Sequence, residues 1–181
     1  MDEFVIARQK VEIWSFCVLK QVERINQECI NIENEDKDED KWRYNMSRIG
    51  DDHYLKISMK NAIDWLGILN DYIEETNEIY TELSEKKDIL DLRNMAEHEI
   101  DYYYNKGHYQ KRYIDKETKL TASETGIENG EYLIGGRLRL SYVYEIFKKL
   151  YQIIISNQFT VTLNGINKMA DKEKSIIKSI K

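Results

Sequence analysis

A chain of 181 residues, 41% of them hydrophobic, has the length of one domain and enough apolar material for a core, which excludes wholesale disorder. It contains no proline, where an average usage of about 5% predicts roughly nine, so long uninterrupted helices are the default. The formal net charge of −6 argues mildly against nonspecific polyanion binding.

That charge is segregated. Glu33 to Asp40 holds six acidic residues against Lys37, which leaves 26 basic and 27 acidic residues elsewhere. From Arg137 onward, nine basic residues face only Glu145, Asp171 and Glu173, leaving room for a local phosphate-facing patch. Cys17 and Cys29 fall on what reads as one helix, separated by a rise of about 18 Å, whereas a disulfide needs Cα atoms within about 7 Å. Nothing reads as a secretory leader, and no apolar run approaches the roughly 20 residues of a membrane span. The expectation is a reduced, cytoplasmic protein with no membrane partner.

In chain order, Phe4, Ala7, Val11, Trp14, Val18, Val22, Ile25, Cys29 and Ile32 recur at alternating steps of three and four, which predicts one long amphipathic helix. Residues 34–51 follow as a charged linker. Leu55, Met59, Ala62, Leu66, Leu69, Ile73, Tyr80 and Leu83 mark a second helix interrupted only by Thr76, and two stripes of this length pack most simply as an antiparallel pair. Ser84 is placed to cap a third helix with the stripe Ile89, Leu92, Ala96, Ile100 and Tyr103, stopping near residues 105–107.

Residues 107–136 differ in kind. Thr125-Gly126, Asn129-Gly130 and Gly135-Gly136 punctuate alternating stretches such as 109–114, predicting a loop or small β-hairpin insertion. Gly135-Gly136-Arg137 lacks the rest of a phosphate loop and reads as a turn leading into a helix. Leu140, Val143, Phe147, Leu150 and Ile154 define the fourth helix, with Ser141 as its cap. Residues 160–181 form a tail: a short strand over 160–163, a turn at Asn164-Gly165, and a lysine-rich helix on Ile166, Met169, Ile176, Ile177 and Ile180. The fold class is therefore all-α: one domain over 1–181, an up-and-down bundle of four to five helices with a loop or small β-hairpin insertion before the fourth.

One stretch offers chemistry, Arg93-Asn94-Met95-Ala96-Glu97-His98. On a continuous helix His98 points about 180° away from Ile89, and so away from the core, with Asn94 one turn before it and Tyr102 one turn after. Metal-independent RNA cleavage needs a group to take the ribose 2′-hydroxyl proton, one to protonate the leaving oxygen, and a cation for the phosphorane charge. Imidazole, which ordinarily titrates near 6.5, serves either proton role, and arginine offers phosphate a bidentate donor. Arg93 and His98 lie about 140° apart on a straight helix, too divergent to meet one phosphate from one stripe. A two-fold dimer or a kink would bring them together. The plainer reading is an ordinary polar face, with Arg93 paired to Glu97 and His98 to Asn94 or Tyr102.

Other groups weigh less. His53 and His108 read as surface residues near helix ends. Asp71, Glu74, Glu75 and Glu78 have spacings that suit a metal but no accompanying Glu-x-x-His, and His98, His108, Glu97 and Asp101 match no recognised zinc spacing, so neither metal nor cofactor is expected. Tyr102, Lys106, Lys111 and Arg112 lie where aromatic rings and cations would hold RNA, although most of the thirteen tyrosines read as packing.

Arg93, Asn94 and His98 on a helical bundle resemble the HEPN superfamily, whose motif is Arg, four to six residues, then His, with Asn, Asp or His commonly following the Arg. The resemblance covers roughly residues 3–156. It implies a metal-independent endoribonuclease of a toxin-antitoxin, abortive-infection or other anti-phage system, with an RNA substrate and a composite site across a homodimer. Arg93 would act on the phosphate, Asn94 in positioning and His98 in proton transfer, and an antitoxin protein would be a partner. A related branch has tyrosine two positions after the histidine; here Ile100 stands there, and Tyr102 comes four after. The alternative is a HEPN-like bundle without catalysis, serving in RNA binding or protein interaction.

Overall fold

A computed structural model describes residues 2–156 and 158–179. Helix α1 (Glu3–Asn34) opens on Asp2, whose carboxylate accepts from the Phe4 N–H at 3.2 Å. Its predicted stripe is the observed one: Ala7, Val11, Val18, Val22 and Ile25 are buried, with Phe4, Trp14 and Cys29 packed at the margin.

The expected linker over 34–51 shrinks to residues 35–37, because helix α2 (Asp38–Leu69) starts at Asp38. Half of the acidic run is a helix start rather than a linker: Asp38, Glu39 and Asp40 occupy the first turn, where carboxylates meet the positive end of the helix dipole. The two helices form the antiparallel pair. Ser47 donates to Glu28, Arg24 pairs with Asp51, and Tyr72, just past the end of α2, donates to Glu3, so contacts descend one helix as they climb the other.

The second predicted helix does not run through to Leu83. After Leu69 the chain turns, makes a 3-10 turn over Glu74–Thr76, and resumes as α3 (Asn77–Glu85). Ile73 is extended here and bridges Val161, with Glu74 N–H donating to the Thr160 carbonyl and Thr162 N–H to that of Tyr72. Pairing with the tail overrides the helical stripe, and buried Thr76 closes the break by donating to the Ile73 carbonyl at 2.8 Å. The predicted strand at 160–163 is thereby reduced to a single bridge. Asn164-Gly165 is no turn but the first turn of α8 (Leu163–Ser179), because the Thr162 hydroxyl accepts from the Gly165 N–H at 2.9 Å and caps it. The side chains of Ile176 and Ile177, and Ile180 altogether, lie outside the described residues.

Ser84 does not cap the third helix either; its hydroxyl donates to the Thr81 carbonyl within α3. Helix α4 (Lys87–Glu97) instead follows Lys86 and packs on α2 through Ile89, Leu92 and Met95, all fully buried. Each such side chain contributes about 1.5–3 kcal/mol by leaving water. Two short helices continue the chain, α5 (Glu99–Tyr103) and α6 (Gln110–Tyr113). The second lies where an alternating stretch was expected, because Tyr113 turns inward to stack on Tyr102.

The insertion is the small β unit the turn residues imply. Strands β1 (Thr125–Glu128) and β2 (Glu131–Ile134) pair antiparallel, with Glu128 opposite Glu131 across Asn129-Gly130. Both turn residues have positive φ, 53° and 76°, as a two-residue hairpin turn demands. Gly135-Gly136 then carries β2 back into β3 (Leu138–Arg139), which runs directly into α7 (Leu140–Ser156). The unit is a piece of the core, with Ala122, Ile134 and Leu138 buried. Lys56 of α2, only 1% exposed, donates to Asp52 at 2.6 Å and to the Ala122 carbonyl at 3.1 Å, which ties the insertion to the bundle. Burial pushes the Asp52 carboxyl above its ordinary range, against the pull of the Lys56 ammonium.

Helix α7 buries the five predicted residues, Leu140, Val143, Phe147, Leu150 and Ile154, against α1 and β2. It begins one residue before the expected cap, and the Ser141 N–H donates to the Glu131 carboxylate at 3.2 Å. The architecture is an all-α bundle with a three-stranded antiparallel insertion. No helix among the described residues is long and apolar enough to cross a membrane.

Candidate active site

The third predicted helix is broken at the histidine. His98 keeps one helical bond, its N–H donating to the Asn94 carbonyl at 3.2 Å, but its own φ of −110° and ψ of 29° end α4. Its carbonyl then starts α5 by accepting from the Asp101 N–H at 2.9 Å. The break changes which face is buried. Tyr102 goes into the core at 4% exposure, while Ile100 and Tyr103, both expected on the apolar stripe, stand in solvent, Tyr103 at 78%.

Three contacts hold that turned face. The Tyr102 ring stacks on Tyr113 at 4.7 Å between centroids and 12° between planes. Its hydroxyl accepts from the Tyr109 N–H at 3.2 Å. Gly107 lies so close against the ring that a Cβ there would fall 2.1 Å from Tyr102 Cδ1. The stop expected at 105–107 is real: Asn105 has φ 57°, and the Lys106 N–H reaches back to the Asp101 carbonyl at 2.7 Å. The chain therefore doubles back over Tyr102.

Between the end of α4, α5 and this returning loop lies an open cleft of about 400 Å³. Asn94 and His98 line it from one side, Asp101 and Tyr102 from α5, and Lys106, Gly107, His108 and Tyr109 from the loop. The His98 side chain is 64% exposed, as its helical phase predicts, with the Asp101 carboxylate 3.6 Å from Nδ1. At that distance the carboxylate does not fix the ring by a close hydrogen bond.

Arg93 is not among the residues lining the cleft. Its guanidinium pairs with Glu97 at 2.7 Å and donates to Asn94 Oδ1 at 3.0 Å, the ordinary polar-face arrangement. Of the four residues expected on RNA, Tyr102 and Lys106 join His98 and Asn94, Tyr102 mainly as a core ring. Lys111 and Arg112 line a neighbouring groove with Arg137 and Asp115. Arg112 is engaged there, forking to Asp88 at 2.9 Å and to Asp91. On this segment Tyr103 and Tyr104 face solvent, edge to face at 5.3 Å.

His108 is the residue that sequence reasoning set aside as surface. It is exposed, but its ring sits edge-on to Tyr109 at 4.6 Å and faces the same cleft as His98. A usable signal existed: a chain stop at 105–107 must fold residue 108 back toward the helix it has just left. Among the described residues, no group of three or more His, Cys, Asp or Glu is arranged to hold a metal ion. Compared with known proteins, the chain matches no family model, no curated protein and no solved structure.

Proposed function

We propose that this protein is a HEPN-like, metal-independent endoribonuclease that works in the cytoplasm as part of a toxin-antitoxin, abortive-infection or other anti-phage system. The observation that carries the reading is that His98 and Asn94, two of the three motif residues, share one open cleft with the cation of Lys106. His98 moves a proton, Lys106 draws the phosphate, and Asn94 positions it or the imidazole. Arg93 enters from a second copy. Its side chain lies beside the cleft's lining rather than in it, so a two-fold pairing of α4 with its copy supplies a guanidinium to each site. An antitoxin protein would bind over the same exposed face.

The test is incubation of RNA with purified protein in EDTA. Cleavage that survives chelation, leaves cyclic phosphate ends and disappears in both His98→Ala and Arg93→Ala supports the proposal. A monomer by light scattering at micromolar concentration contradicts its composite site.

A second reading draws on the Arg93 contacts. With its guanidinium held by Glu97 and Asn94, the motif would serve as a rigid polar face in a non-catalytic RNA-binding or protein-interaction module. RNA binding without cleavage, weakened by Lys106→Ala, favours that reading.

A further inference from the structure

His98 supplies one proton carrier, and cleavage by the 2′-hydroxyl requires two. We propose that His108 is the second, so that a single protomer holds both acid and base in one cleft. The inference rests on the ribonuclease reading above.

The geometry argues for it in three steps. His98 closes α4 and His108 follows the stop at Asn105, yet both line the same cleft of about 400 Å³, with Lys106 beside His108 on the loop. The fold holds this return rigidly: Gly107 packs its backbone on the Tyr102 ring, Gln110 donates to the Tyr102 carbonyl at 3.0 Å, and the Tyr109 N–H donates to the Tyr102 hydroxyl. The charged and titratable groups around the cleft are Asp101 and Tyr102 from α5, with Lys106 and Tyr109 from the loop. The Asp101 carboxylate lies 3.6 Å from His98 Nδ1, and Lys106 stands two residues before His108 on the returning loop. In this arrangement His98, beside Asp101, acts as the acid and His108, on the facing loop, as the base.

The step balances. Neutral His108 takes the proton of the ribose 2′-hydroxyl as O2′ attacks the adjacent phosphorus. The bond from phosphorus to O5′ breaks, and the His98 imidazolium gives its proton to O5′. The products are a 2′,3′-cyclic phosphate and a 5′-hydroxyl, and the exchanged imidazole protons return through solvent. Lys106 offsets the charge that builds on the non-bridging oxygens.

The experiment follows cleavage in EDTA across pH for wild type, His98→Ala, His108→Ala and His108→Gln, each checked by its melting curve. Wild type is expected to give a bell-shaped profile. Both His108 variants are expected to melt with the wild type, to lose on the order of 10²- to 10⁴-fold in rate, and to lose the limb belonging to the base. Added imidazole should restore part of the His108→Ala rate. Mixing the His98→Ala and His108→Ala proteins should restore nothing, since each cleft then lacks one carrier. Wild-type rates and both limbs in the His108 variants, with His98→Ala inactive, overturn the role of His108 alone. Recovery on mixing overturns the single-protomer arrangement, and a wild type that cuts no RNA overturns the ribonuclease reading together with this one.

Discussion

The α1, α2 and α7 helices and the α4 to α6 segment obey different physics. In the first region two 32-residue helices and one of 17 pack together, α1 and α7 on largely apolar stripes and α2 on a face that also buries Asp51, Asp52, Lys56 and Ser58. In the second, helices of 11, 5 and 4 residues are joined by a break at His98 and a left-handed Asn105, and their shape is set by one ring, Tyr102, with what packs on it. The long helices are a frame whose stability is spread over many contacts. The short ones form a bracket that holds several polar side chains around one cleft. Substitutions should accordingly cost stability in the frame and activity in the bracket.

The largest stability effect is expected in the frame, where α2 is tied to the β insertion. Lys56→Ala strands Asp52 in the core and frees the Ala122 carbonyl, so chemical denaturation should show a loss of about 3–5 kcal/mol. The paired change Lys56→Met with Asp52→Leu should recover most of it, because it removes both charges together. In the bracket, Gly107→Ala forces a Cβ into the Tyr102 ring and should cost about 1–3 kcal/mol. Its sharper consequence is a displaced Lys106–His108 loop, read as RNA cleavage lost well below the melting temperature. Arg93→Ala removes an exposed pair with Glu97 and should change stability by less than about 1 kcal/mol while abolishing cleavage.

The smallest effect concerns pH. The hydrogen bond from Ser141 lowers the Glu131 carboxyl below its unfolded value of about 4.5. A carboxylate depressed by folding stabilises above that unfolded value and loses its contribution as pH falls through the folded one. Glu131→Gln should therefore flatten the acid side of the stability profile and leave neutral pH nearly unchanged.

The frame was legible in the sequence because its signal is repeated. The stripes of α1 and α7 recur over many turns, and Asn129-Gly130 names its own hairpin. The acidic run 33–40 misled because charge marks both solvated loops and helix starts, and only the register against α1 decides between them. Thr76 was the visible trace of the break after Leu69, but its cause, pairing of Ile73 with Val161, lies 88 residues away. The site was half legible. Helical phase alone puts His98 in solvent, yet the same phase assigns Tyr103 to the core and Tyr102 to the surface, the reverse of what the stacked Tyr113 enforces. His108 was missed for the same reason: its place depends on a return loop whose direction is fixed by the Tyr102 ring.

The claim that the bracket exists to place His98 on RNA is tested most directly by one assay. Wild type and His98→Ala, at equal folded fraction by their melting curves, are given a short RNA in EDTA and the product ends are identified. The account predicts 2′,3′-cyclic phosphate and 5′-hydroxyl ends from the wild type and intact RNA from a fully folded variant. Equal cleavage by both proteins, or none by the folded wild type, would contradict it.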